Sequence, residues 1–315
     1  MNYIAIDIGG TKIKFGIADD SGSIYENSEF DTEAYKGAEE LIKKVYTIID
    51  ILLKKEFYNI KGIGISTAGQ VNSETGEIIF ATNTIPGWTG VKLKNIIEEK
   101  YHLPCIVEND VNAAALGELW MGAGKGVSNF ICLTIGTGIG GAIIINNNIF
   151  TGRSYSAGEF GHINLYPDGL ECTCGHTGCY EVYASTTALV KRAREVLKNS
   201  LYKNEIDSAL ENINGKVIFE KVNNGDEFFI SIVDNWCRDI ALGLKTLIHV
   251  FNPELIIIGG GVSAQGNSLI DRIEKYIKNM VMPSFSKNLK VDIAKCGNIA
   301  GMLGAVYSLK IKLEL

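Results

Sequence analysis

Ile4-Ala5-Ile6-Asp7-Ile8-Gly9-Gly10-Thr11-Lys12-Ile13-Lys14-Phe15-Gly16-Ile17-Ala18 decides the architecture. Two apolar, β-rich runs flank a glycine turn. Asp19-Asp20-Ser21-Gly22 makes the next bend, and Ser23-Ile24-Tyr25 starts a third strand. The plan returns at Phe130-Ile131-Cys132-Leu133-Thr134-Ile135, Gly136-Thr137-Gly138 and Ala142-Ile143-Ile144-Ile145. Identity between the two stretches is low, so what repeats is a supersecondary plan, once in each half of the chain.

Between these meanders strands alternate with helices. The spacing predicts helices over 34–55, Leu93–Tyr101, Ala113–Trp120, Ser185–Leu197 (capped by Ser185 or Thr186), Asp226 toward Val250, and 300–311. Lys61–Ser66, Cys105–Glu108 and Leu255–Ile258 read as buried strands, and 198–215 as polar surface. This alternation predicts a two-domain α/β protein. No linker rich in Pro or Ser parts the halves. Motif position puts an N-terminal α/β lobe at 1–115 and a C-terminal lobe at 116–299, with the helix at 300–315 packing back on the first lobe.

The 315 residues are 46% hydrophobic, which excludes global disorder. A formal charge of −6 weighs against a general nucleic-acid binder. Seven cysteines in so long a chain do not make a disulfide scaffold. Asp7 interrupts any N-terminal signal, so the cytoplasm is the expected address. The uncharged stretch Val127–Gly152 is long enough for a membrane span, but Gly136, Gly138, Gly140, Gly141 and Asn146-Asn147-Asn148 break it. It reads as strand, turn, strand, turn, strand, and no membrane is expected.

Three glycine loops follow apolar strands. In Asp7-Ile8-Gly9-Gly10-Thr11-Lys12 the missing side chains let backbone N–H groups approach an oxyanion, and Thr11 adds a hydroxyl. Asp7 either holds a Mg²⁺-bound water or supports the turn. Gly136-Thr137-Gly138 repeats that chemistry, and Gly259-Gly260-Gly261 suits a flat ligand such as adenine. Together they suggest one nucleotide gripped from both domains. Gly136–Gly141 satisfies G-x-G-x-x-G but is followed by a β-rich run rather than the helix a dinucleotide site requires. Gly122-Ala123-Gly124-Lys125-Gly126 lacks the spacing and the hydroxyl of a Walker loop.

Cys172-Thr173-Cys174-Gly175-His176-Thr177-Gly178-Cys179 crowds three soft ligands into eight residues. Either they are unligated thiols, or with one imidazole, His162 or His176, they complete a closed tetrahedral Zn²⁺ site of structural type. Glu108-Asn109-Asp110 ends a strand and precedes a helix. Asp110 there can take a proton from a substrate hydroxyl, or cap the helix. Glu159 and Glu181 flank the cysteine loop, as surface charges or as partners for vicinal sugar hydroxyls.

Taken together these residues resemble the ROK family of repressors and sugar kinases, across almost the whole chain. The resemblance rests on Asp7–Thr11, Glu108-Asn109-Asp110, Gly136–Gly141, Ala157-Gly158-Glu159-Phe160-Gly161-His162 and, most specifically, Cys172-x-Cys174-Gly175-x-x-Gly178-Cys179-x-Glu181. It implies the actin-like ATPase fold of hexokinases, with Mg²⁺ and ATP in an interdomain cleft and transfer of the γ-phosphoryl group to a sugar hydroxyl, usually O6. Asp7, Gly9, Gly10, Thr11, Lys12, Gly136, Thr137, Gly138, Gly259, Gly260 and Gly261 would serve ATP. Asp110 would be the general base, and Gly69, Asn83, Asn109, Glu159, His162 and Glu181 would join it around the sugar. His162, Cys172, Cys174 and Cys179 would bind zinc, His162 also donating to the sugar through its other nitrogen. Sugar binding would close the lobes against water. A homodimer is the family expectation.

Two stretches depart from the family's pattern. Ala142 stands where a third glycine often follows Gly140-Gly141. Ser66-Thr67-Ala68-Gly69-Gln70-Val71-Asn72 replaces the Thr-Pro-Gly-Pro common in family glucokinases and is similar to N-acetylmannosamine kinases, as is Asp168-Gly169; Asn83 and Trp88 match a substrate-side loop. N-Acetylmannosamine is therefore the first expected substrate, ahead of glucose, then a β-glucoside or another hexose. The rivals from other classes are a sugar-responsive repressor, for which the motif starting at Asp7 leaves no preceding helix-turn-helix, and a silent sugar-binding module.

Overall fold

The structure is a computed structural model describing residues 1–55, 58–198 and 213–314. Of the polar stretch 198–215, residues 199–212 lie outside the described residues. The first half runs β1 (Asn2–Ile8), β2 (Lys12–Asp19), β3 (Ile24–Asp31), α1 (Ala38–Leu53), β4 (Ile60–Thr67), β5 (Gln70–Asn72), β6 (Glu77–Phe80), α2 (Leu93–Tyr101), β7 (Cys105–Asn109) and α3 (Asp110–Met121). There follow β8 (Phe130–Ile135), β9 (Ile139–Ile145), β10 (Asn148–Ile149), α4 (Glu181–Ala184), α5 (Thr186–Lys198), α6 (Gly215–Asn223) and α7 (Glu227–Phe251). The chain closes with β11 (Leu255–Gly259), α8 (Asn267–Met280), α9 (Pro283–Ser286), β12 (Lys290–Ile293) and α10 (Ala300–Glu314).

Two compact units emerge, one of Met1–Ser128, Ala142–Gly158 and Lys295–Leu315, the other of Asn129–Gly141 and Glu159–Ala294. The first crossing thus falls at 128/129 rather than at 115/116, because α3 continues to Met121 and packs along α10.

The first unit carries the sheet β3-β2-β1-β4-β7, with β1–β3 antiparallel and β1, β4 and β7 parallel. The period-2 alternation of β1 sets its two faces. Ile4, Ile6 and Ile8 pack with Leu41, Val45 and Ile48 of α1 and with Ile97 of α2. Tyr3 and Ala5 pack with Met302, Val306 and Leu309 of α10. Covering both faces is what a sheet with parallel strands requires. Helix α1 starts at Ala38, not 34, because Gly37 adopts φ 86° and separates it from a 3₁₀ turn at Ala34–Lys36. The first half of α10 is buried around its whole circumference.

The second sheet has the order β10-β9-β8-β11-β12. Three of its strands, β8, β9 and β10, are those expected within Val127–Gly152, with Asn146 and Asn147 in the left-handed region at the second turn. No helix among the described residues is long and apolar enough to cross a membrane. Asp226 caps α7, accepting from Phe228 N at 3.1 Å and Phe229 N at 3.4 Å. Ser185 Oγ accepts from Ala188 N at 3.1 Å and caps α5.

Candidate active site

In the first unit the carboxyl ends of three parallel strands bring the acids together. The registers Asp7↔Ser66 and Ser66↔Glu108 set a row across β1, β4 and β7, and α3 begins immediately after β7. Such strand ends are where α/β proteins bind ligands. Asn109, rather than Asp110, is the helix cap: its Oδ1 accepts from Val111 N and Asn112 N, both at 3.0 Å. Its Nδ2 donates to the Gly69 carbonyl and to Asp110 Oδ1, both at 2.9 Å. The Asn109 amide therefore holds Asp110 in place while fastening the β4–β5 turn, where Gly69 sits at φ 106°.

Burial, and next the Asp7 carboxylate, push the Asp110 carboxyl up to about 6. Burial also raises Asp7, against the lowering effects of Ser66 and Lys14. Ser66 Oγ donates to Asp7 Oδ1 at 2.5 Å. A Cβ at Gly301 would stand 2.8 Å from Asp7 Cγ and 2.9 Å from Ser66 Oγ, so only glycine in α10 leaves room for this pair. Neither Ser66 in this role nor Gly301 was found from sequence. In the sequence Ser66 stands in a stretch similar to N-acetylmannosamine kinases, and nothing near Gly301 marks it.

The first glycine turn is closed by Gly9 N donating to Lys12 O at 3.0 Å. Buried Thr32 braces it from the end of β3, donating Oγ1 to Gly9 O at 2.7 Å and N to Thr11 O at 2.9 Å. The Lys12 ammonium lies 2.9 Å from Asp31 and 3.3 Å from Glu29, so two carboxylates already hold this expected phosphate contact. Asn83 is exposed. Trp88 is fully buried, its Nε1 donating to Thr67 Oγ1 at 3.1 Å; it is scaffold rather than a substrate contact.

In the second unit Gly136, Thr137 and Gly261 line a cavity of about 670 Å³ with Thr186, Thr187 and Lys191, within the size range of small-ligand sites. Gly136 N donates to Gly138 O at 3.0 Å, and Thr187 Oγ1 to Thr137 O at 2.8 Å. Gly260, at φ 82°, packs against the backbone of Ile135. Gly259 is buried at the end of β11. The hydroxyls and cations that α5 contributes to this wall had no sequence motif.

The cysteine loop joins this region through Glu181. One carboxylate oxygen accepts from Cys172 Sγ at 3.3 Å. The other lies 2.7 Å from where a Cβ on Gly138 would be. The ligand atoms of His162, Cys172, Cys174 and Cys179 all lie within 4.8 Å of one another, and His176 is not among them. Cys174 Sγ to Cys179 Sγ is 3.6 Å, and Cys172 Sγ to His162 Nδ1 is 3.9 Å. Zn–S bonds of about 2.3 Å in a tetrahedron put sulfurs about 3.7 Å apart, so the donor set and its spacing fit that ion. Glu159 is exposed just before the short 3₁₀ turn that carries His162.

The ROK family pattern matches residues 3–311. This chain belongs to the ROK family. Among ROK relatives, the glucokinase of Halalkalibacterium halodurans is 35% identical over 98% of this chain and 94% of its own. The structure of a ROK family glucokinase from Streptomyces griseus in complex with glucose and AMPPNP is 36% identical, with a TM-score of 0.82 over 97% of this chain and 98% of that one. A proposed N-acetylmannosamine kinase from Listeria monocytogenes is 28% identical, with a TM-score of 0.84 over 99% and 100%. Xylose repressors are also ROK relatives. The fold is the α/β actin-like ATPase fold of the ROK sugar kinases.

Proposed function

We propose that this ROK protein is an ATP-dependent kinase that phosphorylates the 6-hydroxyl of a hexose, glucose ahead of N-acetylmannosamine. The carrying observation is Asp110, a half-buried carboxyl at the end of a parallel strand, held by Asn109 and raised to about 6. A base of that strength is ionised at neutral pH yet can still accept a proton in the transition state.

Asp110 takes the proton from O6 as O6 attacks the γ-phosphorus. The bond from that phosphorus to the β,γ-bridging oxygen breaks, and ADP leaves with the electron pair. The N–H groups of the glycine turns that are not spent within the turns, with the Thr137 and Thr186 hydroxyls of the second unit, hold the phosphates. Asp7 suits the water shell of Mg²⁺, which neutralises phosphate charge when bound. Zn²⁺ on His162, Cys172, Cys174 and Cys179 would fix the loop from which Glu181 and Glu159 meet the sugar.

The order of substrates reverses the sequence-based expectation. Ser66 is bonded to Asp7, Thr67 to Trp88, and Gly69 to Asn109. Asn72 Oδ1 accepts from Glu74 N and Thr75 N. Residues so engaged brace the fold and say little about the sugar's C2 group, whereas higher identity to glucokinases supports glucose. The Listeria neighbour keeps N-acetylmannosamine as the second reading. The test is ADP release with Mg·ATP and zinc-loaded protein against glucose, N-acetylmannosamine, N-acetylglucosamine, fructose and a β-glucoside. The highest kcat/KM is expected for glucose. No turnover with any of them would overturn the kinase reading and support a sugar-binding regulator.

A further inference from the structure

Away from the residues assigned above, α4, α5, α7 and the start of the cysteine loop border an open hollow of about 540 Å³ lined by Tyr166, Gly169, Tyr183, Arg192, Asn235, Arg238 and Asp239. We propose that this hollow is a second ligand site, for a phosphate monoester of a sugar or polyol.

The charge arrangement carries the argument. Asp239 is buried, and both its oxygens are taken: Oδ1 accepts from Tyr166 Oη at 3.0 Å, and Oδ2 from Arg192 Nη2. The carboxylate fixes the Arg192 guanidinium and the Tyr166 ring instead of offering itself to a ligand. Arg238 is exposed at the rim and bears electrostatically on the Tyr166 phenol. Asn235 Nδ2 is spent on Ser231 O at 2.9 Å. Two guanidiniums against one occupied carboxylate leave a net positive wall rich in N–H donors. Planar guanidinium forks match phosphate oxygens.

The lining is also aromatic. The rings of Tyr166 and Tyr183 meet edge to face with centroids 4.7 Å apart. Tyrosine offers an apolar body and a polar tip, which suits the C–H face of a sugar or polyol beside the phosphate. The site also bears on the cysteine loop. Tyr183 Oη accepts from Leu170 N at 2.6 Å, and Leu165 N donates to Gly178 O at 2.8 Å, next to the ligand Cys179. An occupant pressing on Tyr166 and Tyr183 therefore acts on the loop that carries the metal ligands. The inference does not depend on the kinase reading.

Calorimetric titration of the zinc-loaded full chain tests it, with Asp110→Asn in the background to exclude turnover. The probes are glycerol 3-phosphate, which is no product of hexose phosphorylation, glucose 6-phosphate and inorganic phosphate. Both esters are expected to bind. Arg238→Ala should weaken glycerol 3-phosphate about tenfold or more, Arg238→Lys should restore part of the loss, and glucose phosphorylation by Arg238→Ala alone should be unchanged. Ligand should also slow amide exchange over 165–170 and 178–183. Equal affinity of Arg238→Ala and its parent for glycerol 3-phosphate would overturn the site. Inorganic phosphate binding as tightly as the esters would overturn the assignment of a polyol ester.

Discussion

Asn109 Nδ2 donates to Asp110 Oδ1 at 2.9 Å, from the residue that also caps α3. One amide thus fixes the helix start and the carboxylate that opens it. Asp110→Asn should lower kcat by about 10²–10⁴-fold, with sugar KM changed little. Asn109→Ala should lower kcat less, and should also cost about 1 kcal/mol of stability through the lost cap. Steady-state kinetics and denaturant unfolding separate the two. Near-normal turnover in Asp110→Asn would remove the base from this position.

The pH dependence of turnover follows from the same pair. The Asp110 carboxyl lies at about 6, raised by burial and by Asp7. A general base works only when ionised, so kcat/KM for the sugar should hold steady from about pH 7 upward and fall tenfold per unit well below about 6. An acid limb centred near the ordinary carboxylate range would mean that Asp110 is more solvated than its surroundings indicate.

Glu108 is a buried acid beside this site but outside the chemistry. It is 1% exposed, its Oε1 accepts from Asn109 N at 3.0 Å and Asn112 Nδ2 at 3.3 Å, and the Lys312 charge acts on it. Burial nevertheless dominates and pushes its carboxyl up to about 7. The folded state therefore holds this proton where the unfolded chain has released it. Stability should fall as pH rises from about 4.5 to about 7, by about 3 kcal/mol if the whole difference is expressed. Glu108→Gln keeps the acceptor oxygen and removes the charge. It should raise Tm at pH 8 and leave it unchanged at pH 4.5; equal shifts at both pH values would argue against the ionisation.

Much of this architecture was legible because local pattern and tertiary need coincide. The alternation of Ile4, Ile6 and Ile8 matches their packing on α1, and Asp226 caps α7 as its position predicts. Asp110 was legible as a functional candidate because a carboxylate at a strand–helix junction has few roles; which residue caps the helix was not, since Asn109 and Asp110 are both good caps. Ser66 and Gly301 were not legible because their meaning lies in a contact across 235 residues of sequence. The Ser66–Asn72 pattern says little about the sugar for a related reason. Residue type alone does not tell a hydroxyl that meets substrate from one that braces a neighbouring carboxylate.

The two candidate fourth ligands of the cysteine cluster make a clean contrast. His162 lies with the three thiols and His176 does not. Purified His176→Ala should keep about one zinc per chain, as expected of a single closed Cys₃His site, while His162→Ala and Cys174→Ser should lose most of it under mild chelation. Elemental analysis reads this directly. Retention in His162→Ala with loss in His176→Ala would exchange their roles. Where zinc is lost, sugar KM should rise more than kcat falls, because the loop places Glu181 rather than the base.

Gly301 offers the sharpest test of how far the site reaches into the fold. It lies in α10, yet a methyl group there meets Asp7 Cγ and Oδ1 at 2.8 Å and Ser66 Oγ at 2.9 Å. Alanine is ordinarily the better helix residue, by up to about 1 kcal/mol over glycine. Here overpacking opposes that gain at a cost of about 1–3 kcal/mol, since α10 is buried on all sides at this level and cannot yield freely. Gly301→Ala should lower Tm and, by displacing the Asp7 carboxylate, raise the Mg²⁺ concentration needed for half-maximal activity, while glucose KM stays close to that of the parent. An unchanged Mg²⁺ requirement in a variant of lowered Tm would confine Gly301 to packing and separate Asp7 from the nucleotide's metal.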